Sequence, residues 1–325
     1  MSTVDTTGDN VKVICRVRPF NDREMELQAM SGDGRPIRAV LEMQGKDTLF
    51  LDHHNDFQEK ERFPLDVSIW SIPENQQKTD NVVATQEDVF AMVGEPTLQQ
   101  CWDGYNTCFF AYGQTGSGKT FTMTGPKSNP GIIPRLCKSM FMSVEKQNMK
   151  NADKVGIEAD DIKEYTVEAR FLEIYNEKVQ DLLYELNTKP SADVDHHTHL
   201  KVRNFPGKGP DVVGITTLHV RNWEDCVTLI DYGLKNRTVA ATKMNDESSR
   251  SHSIFKLSLT QTTKVLPKKQ FEKLQTFVRS SVINLVDLAG SELPPPPPPP
   301  RRTPPLGGCP PRRRRRRRRR AHFIF

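Results

Sequence analysis

Hydrophobic and polar positions in this chain follow two periods, and the two take turns along the sequence. Residues 11–17 form an apolar run of strand type that stops at Arg18-Pro19, because proline cannot donate to a sheet ladder. Residues 21–62 are polar and mixed, which predicts loops with short edge strands. Over 85–101 the apolar positions Val89, Phe90, Met92, Val93 and Leu98 recur at helical spacing. A short strand-like run over 107–112 then enters a glycine-rich turn, and a helix opens at Lys119. A second helix is expected over 132–145, with Pro134 in its first turn.

The charged stretch 147–164 lacks periodicity and reads as a surface loop, as does 189–199. Between them, 165–175 has strand character and 178–186 reads as a short helix. Residues 223–235 are helical, with Val227, Ile230 and Leu234 on one face. Residues 253–260 alternate as a half-buried strand, and 282–288 is an apolar run suited to an interior strand. Strands alternating with helices predict an α/β layered domain over 11–293, after a polar N-terminus 1–10 that is expected to be disordered.

At Pro294 the composition breaks. Seven prolines, Arg301-Arg302, a Pro/Gly-rich patch and the nine arginines 312–320 cannot build a core, so 294–325 is expected to be disordered. The formal charge of +5 comes from this segment: without its eleven arginines, 35 basic residues face 41 acidic ones, about −6. A nucleic-acid function based on net charge therefore fails for the body. The arginine run would bind acidic polymers without sequence specificity.

Six cysteines without a C-x-x-C pair, among apolar neighbours, suit free thiols in a reducing compartment. The polar start is no secretory signal, and no apolar run approaches the roughly 20 residues of a membrane helix. These features predict a cytoplasmic protein without a membrane partner. His196, His197 and His199 cluster in a polar loop with no supporting ligand spacing, and are expected to be solvated rather than metal-bound.

The chemistry is carried by three clusters. Gly113, Gln114, Thr115, Gly116, Ser117, Gly118, Lys119 and Thr120 match G-x-x-x-x-G-K-[ST], in which glycines let backbone N–H groups converge on phosphate oxygens. Lys119 supplies a cation for the β- and γ-phosphates, and Thr120 offers a hydroxyl to Mg²⁺. Asp287 ends an apolar strand, where a carboxylate orders a Mg²⁺ shell, and Gly290 leaves a bare N–H for a γ-phosphate. The cluster 245–252 (Asn-Asp-Glu-Ser-Ser-Arg-Ser-His) offers hydroxyls and one cation. A phosphate loop alone leaves kinase, GTPase, helicase and motor open. No N-K-x-D guanine motif and no lid-like arginine cluster is present, which disfavours GTPase and kinase.

Together with Cys15-Arg16-Val17-Arg18-Pro19-Phe20, Gly104-Tyr105-Asn106, Phe110-Ala111-Tyr112, Phe121-Thr122-Met123, the segment 173–183 and Val239-Ala240-Ala241-Thr242, these clusters resemble the kinesin motor domain over roughly 11–292. The resemblance implies a P-loop NTPase of kinesin-motor fold, a mixed central sheet flanked by helices, hydrolysing ATP with Mg²⁺ on microtubules of the cytoskeleton. Arg18 and Pro19 would flank the adenine, with Tyr105 nearby. Asn245, Ser248, Ser249 and Arg250 would form switch I, and residues 287–292 switch II, with Gly290 sensing the γ-phosphate. Thr120, Ser249 and Asp287 would serve the metal. An Arg250–Glu292 salt bridge would close the switches, and positioned water with charge stabilisation would suffice for hydrolysis.

The start of the motor-like region near Met1 implies an N-terminal-motor transport type. The family's relay helix, further strand, last helix and neck linker do not follow Leu293. The expected consequences are an unpaired edge on the first strand, low stability and no directed movement. The alternative is a non-motile nucleotide-binding remnant whose basic tail holds tubulin tails or RNA.

Overall fold

The computed structural model describes residues 11–30, 37–152, 161–186, 199–207, 209–241, 249–265 and 274–292. Its centre is a mixed sheet ordered β11 (Leu218–Val220), β7 (Asp161–Tyr175), β12 (His252–Val265), β13 (Gln275–Asp287) and β6 (Thr107–Ala111), with β8 (Lys178–Asp181) also pairing β7. Only β13 and β6 run parallel; the long β7–β12–β13 ladders are antiparallel.

The alternation read over 253–260 sets the layers. Ser253, Phe255, Leu257 and Leu259 of β12 are buried, and the residues between them are partly exposed. That buried face joins Ala169 and Phe171 of β7 and Ile283 and Leu285 of β13 under three helices: α3 (Glu95–Trp102), α5 (Ile132–Ala152) and α6 (Trp223–Ala241). Phe171 and Phe255 meet edge to face, ring centroids 5.4 Å apart, the geometry that ring quadrupoles favour.

A smaller lobe precedes the sheet. β1 (Ile14–Val17) pairs in parallel with β5 (Val67–Trp70), and β2 (Leu41–Gln44), β3 (Asp47–Asp52) and β4 (Gln58–Pro64) form an antiparallel meander. Among the described residues β1 has β5 as its one strand neighbour. Val17, Ala39, Met43, Trp70 and Ile72 form the lobe's core.

Several local expectations need correction. Residues 21–62 include α1 (Asp22–Met30), which buries no residue. Its start is held reciprocally: Glu24 N donates to Asn21 Oδ1 and Asn21 N to Glu24 Oε2, both at 2.9 Å. The helix expected over 85–101 is interrupted, running as α2 (Gln86–Val89), a π-helical turn Phe90–Gly94, then α3. Helix α5 continues through 147–152, because no glycine or proline stops it there. Residues 178–186 are not a helix: Asn176 and Glu177, at φ 47° and 62°, turn the chain back into β8, and a single 3₁₀ turn Tyr184–Leu186 follows. The hairpin β9 (Val202–Phe205) and β10 (Gly209–Val212) was not foreseen. No helix among the described residues is long and apolar enough to cross a membrane, and their five cysteines are free thiols.

Candidate functional site

The site lies where β6 and β13, parallel neighbours, both end. β6 delivers the chain into residues 113–120, and β13 delivers Asp287 beside Ala111, so the loops leaving the two strands run side by side. Leu288 N donates to Ala111 O at 3.2 Å and Ser291 N to Gly113 O at 3.1 Å. The loop's shape depends on positive φ at Gly116 (79°) and Gly118 (95°). A Cβ on Gly116 would meet nothing within 4 Å, so conformation rather than space demands glycine there.

Lys119 folds back over its own loop, donating to the carbonyls of Gly113 (2.9 Å) and Gln114 (3.0 Å). Burial pushes its ammonium below the usual lysine value, more than Asp287 and Glu292 raise it. Thr120 lies in the first turn of α4 (Lys119–Met123), and its hydroxyl donates to Asp287 Oδ2 at 2.6 Å. Asp287 is 5% exposed, and its Oδ1 is buried without a hydrogen-bond partner.

Arg18 joins the small lobe to this loop. Its Nε donates to Gly116 O at 2.7 Å, while its other nitrogens hold both oxygens of Glu24 and the carbonyl of Pro19. The Arg18 guanidinium keeps the Glu24 carboxyl below its ordinary value, and Glu24 raises Arg18 in return. Arg16, two residues earlier, reaches Ser71, Gln86 and Thr122 and ties β1 to α2 and α4. These contacts place Arg18 and Pro19 at the loop's edge.

Tyr105 is not at that edge. It precedes β6, whose five residues separate it from the loop by about 17 Å at ~3.3 Å per residue. Two exposed rings flank the loop in sequence: Tyr112, directly before Gly113 and 62% exposed, and Phe121, directly after Thr120.

The two switch clusters meet through the backbone. Gly290 N donates to Ser249 O at 2.8 Å, so the N–H expected for a γ-phosphate is engaged with switch I here. Ala289 N donates to His252 Nδ1 at 3.0 Å. Asn245 and Ser248 lie outside the described residues. The Arg250–Glu292 ion pair is not formed in this structure. Arg250 is exposed, and Glu292 turns instead into the phosphate loop, accepting from Thr115 N at 2.9 Å and from the Thr115 hydroxyl. The Thr115 hydroxyl is the main cause holding Glu292 below the usual carboxylate range. The loop's donors prefer an anion, and the nearest carboxylate supplies one.

Beneath these loops lies a buried polar cluster absent from the motif reading. Arg237 of α6 bonds Glu173 at 3.1 Å and Ser251, and lies 3.7 Å from Asp287. Its members are far apart in sequence, and only the sheet register brings them together.

The geometry can be compared with known proteins. The family model for the kinesin motor domain matches residues 16–294. Kinesin-like protein KIF13A of Mus musculus is 40% identical over 288 residues, 87% of this chain and 14% of the relative. Kinesin-like protein unc-104 of Caenorhabditis elegans is 39% identical over 286 residues, 87% of this chain and 16% of the relative. The chain thus spans about one seventh of the length of these curated relatives. Among solved structures, KIF14 with AMP-PNP in complex with a microtubule superposes with a TM-score of 0.65 at 35% identity, covering 87% of this chain and 68% of that one. KIF14 with ADP in complex with a microtubule gives 0.64 at 37% identity, covering 87% and 70%. Sequence, fold and loop geometry agree: this chain belongs to the kinesin motor domain family.

Proposed function

We propose that this chain binds ATP with Mg²⁺ in the site built from Arg18, residues 113–120, Ser249 and residues 287–292, and hydrolyses it as the motor domain of a microtubule-dependent kinesin. The observation that carries this reading is the direct contact of all three clusters. Thr120 bonds Asp287, Ser291 bonds Gly113, and Gly290 bonds Ser249, so a change at the terminal phosphate reaches both switches at once. The KIF14 structures in complex with microtubules supply the partner class.

The donor set fits a magnesium ion: one hydroxyl and one carboxylate meet, and the carboxylate keeps a buried oxygen free of protein donors. Thr120, Asp287 and Ser249 would hold the ion, which supplies charge neutralisation at the phosphates. The loop amides and the Lys119 ammonium bind the phosphate oxygens, and Lys119 exchanges its two loop carbonyls for them. Arg18 fixes the loop from the adenine side, with Tyr112 as the adjacent stacking surface. Asn245 and the hydroxyls of Ser248 and Ser249 orient the attacking water, with the Arg250 cation beside them. Gly290 and Glu292 move with the switch, exchanging Ser249 and Thr115 for the phosphate and for Arg250.

Steady-state ATPase measured with and without microtubules tests the proposal. Microtubule-stimulated turnover abolished by Lys119→Ala is the expected result. Salt-sensitive polymer binding without turnover in the parent chain would refute it, and would identify a non-motile binding protein acting through its arginine run.

A further inference from the structure

Away from the switches, one buried amide grips the helix behind the phosphate loop. Gln86, the first residue of α2, is 3% exposed and takes no part in the contacts that join the three loops. Its Oε1 accepts from Arg16 Nη1 at 2.7 Å, and its Nε2 donates to Phe121 O at 2.7 Å. The amide can be oriented only this way, because a guanidinium has donors alone and a carbonyl accepts alone. The same Arg16 nitrogen donates to the Thr122 hydroxyl at 2.9 Å, and Arg16 Nε to Ser71 Oγ at 3.1 Å. These partners are all neutral, and burial pushes the Arg16 guanidinium below the usual arginine value.

Helix α4 depends on such outside partners. Lys119–Met123 is five residues, too short to hold its shape alone, and its last carbonyls have no donor within the helix. The Gly125 amide, four residues beyond Phe121, bonds Thr120 O at 3.0 Å instead, as does the Thr124 amide at 2.8 Å. Phe121 O is therefore left to the Gln86 side chain, and the Thr122 hydroxyl to Arg16. Gln86 is itself set by a reciprocal cap. Thr85 N donates to Asp88 Oδ2 at 2.8 Å and Asp88 N to Thr85 Oγ1 at 3.2 Å, which fixes the first turn of α2. A desolvated guanidinium without a carboxylate is a costly way to build a core. What the arrangement supplies is a fixed distance from β1 and α2 to α4. The two residues of α4 that it pins directly follow Lys119 and Thr120, which carry the ammonium and hydroxyl of the site.

We infer that Gln86 is a positioning residue for the phosphate-binding helix: by bridging Arg16 and the Phe121 carbonyl it sets where α4 presents Lys119 and Thr120, without touching the nucleotide. This rests on the Mg²⁺–ATP reading above. No other group at that place both accepts from the guanidinium and donates to the carbonyl, so the hold is lost when either half of the amide is changed.

The test uses the full chain as parent, Gln86→Met and Gln86→Glu. Each is titrated in magnesium with a fluorescent ATP analogue, which is then displaced by ATP and by inorganic tripolyphosphate. Denaturant unfolding without nucleotide is measured alongside. Gln86→Met keeps length and volume and removes both bonds. Gln86→Glu keeps the acceptor for Arg16 and removes only the donor to Phe121, and it serves if Gln86→Met fails to fold. The expected result is that ATP and tripolyphosphate affinities of the folded variants fall together, by about tenfold. A merely structural role would lower the unfolding midpoint and leave both affinities of the folded chain unchanged, and that outcome overturns the inference. A loss for ATP with tripolyphosphate unchanged would move the effect to the base side and overturns it as well. So does failure of both variants to fold, which would assign Gln86 to the core. A parent chain that binds neither ligand would instead refute the Mg²⁺–ATP reading, and the inference would fall with it.

Discussion

Removing the carboxylate of Glu292 should tighten ATP binding, the opposite of what deleting an active-site charge usually does. In this structure Glu292 takes the Thr115 amide at 2.9 Å together with the Thr115 hydroxyl, both donors of the phosphate loop. A phosphate must displace it. Two charge-assisted bonds in a buried site would be worth roughly 1.5–3 kcal/mol each, but Glu292 is exposed and the surface range of about 0.2–1 kcal/mol per contact applies. The sum is about 1 kcal/mol, so Glu292→Gln should lower the Kd for ATP about fivefold.

Protonation gives the sign independently. Because Thr115 holds Glu292 below the usual carboxylate range, the contact is complete above the free value near ~4.3 and is lost as pH falls through the lowered folded value. The advantage of the variant should therefore be constant near neutrality and vanish in acid. Titration with a fluorescent ATP analogue decides: equal or weaker binding by Glu292→Gln at neutral pH would refute the competition.

Four further outcomes are expected. Lys119→Ala should weaken ATP binding by tenfold or more, the equivalent of ~1.5–3 kcal/mol for a charge-assisted contact. In the parent, affinity should fall as pH rises through the depressed Lys119 value, below the ordinary ~10.4, and Lys119→Arg should abolish that alkaline limb in the same titration. Leu257→Ala, at a fully buried position of β12, should cost ~2–5 kcal/mol, read from denaturant unfolding followed by circular dichroism. Gly233→Ala, whose methyl would fall 2.2 Å from the Phe171 ring, should cost ~1–3 kcal/mol by the same measurement.

How much of this was legible beforehand depends on the range over which each signal acts. The two-residue alternation of β12 and the glycine spacing of the phosphate loop are local, and both could be read directly. Helix α1 could not, because it buries nothing and leans on an Asn21–Glu24 cap and on Arg18. Residues 178–186 suggest a helix by their apolar spacing, and only the left-handed pair Asn176 and Glu177 makes the segment fold back as a strand. Tyr105 and Tyr112 each flank a strand in the sequence, but only the strand's length shows that one end carries the phosphates and the other does not.

The buried cluster shows why site prediction from separate motifs stops short. Glu173, Arg237, Ser251 and Asp287 come from four segments, and the register that pairs Ser253 with both Glu173 and Asp287 is what brings them together. Of the four, Asp287 alone stands out in the sequence as a candidate ligand; Glu173, Arg237 and Ser251 carry no such mark singly. A charge placed there is tolerated only because the opposite charge arrives from another strand or helix, so the cluster depends on the complete β7–β12–β13 sheet. The dependence also runs the other way. Movement of Asp287 when the terminal phosphate is lost would be felt by Arg237, Ser251 and α6. The fold that positions the site is thereby also the route by which the site's state leaves it.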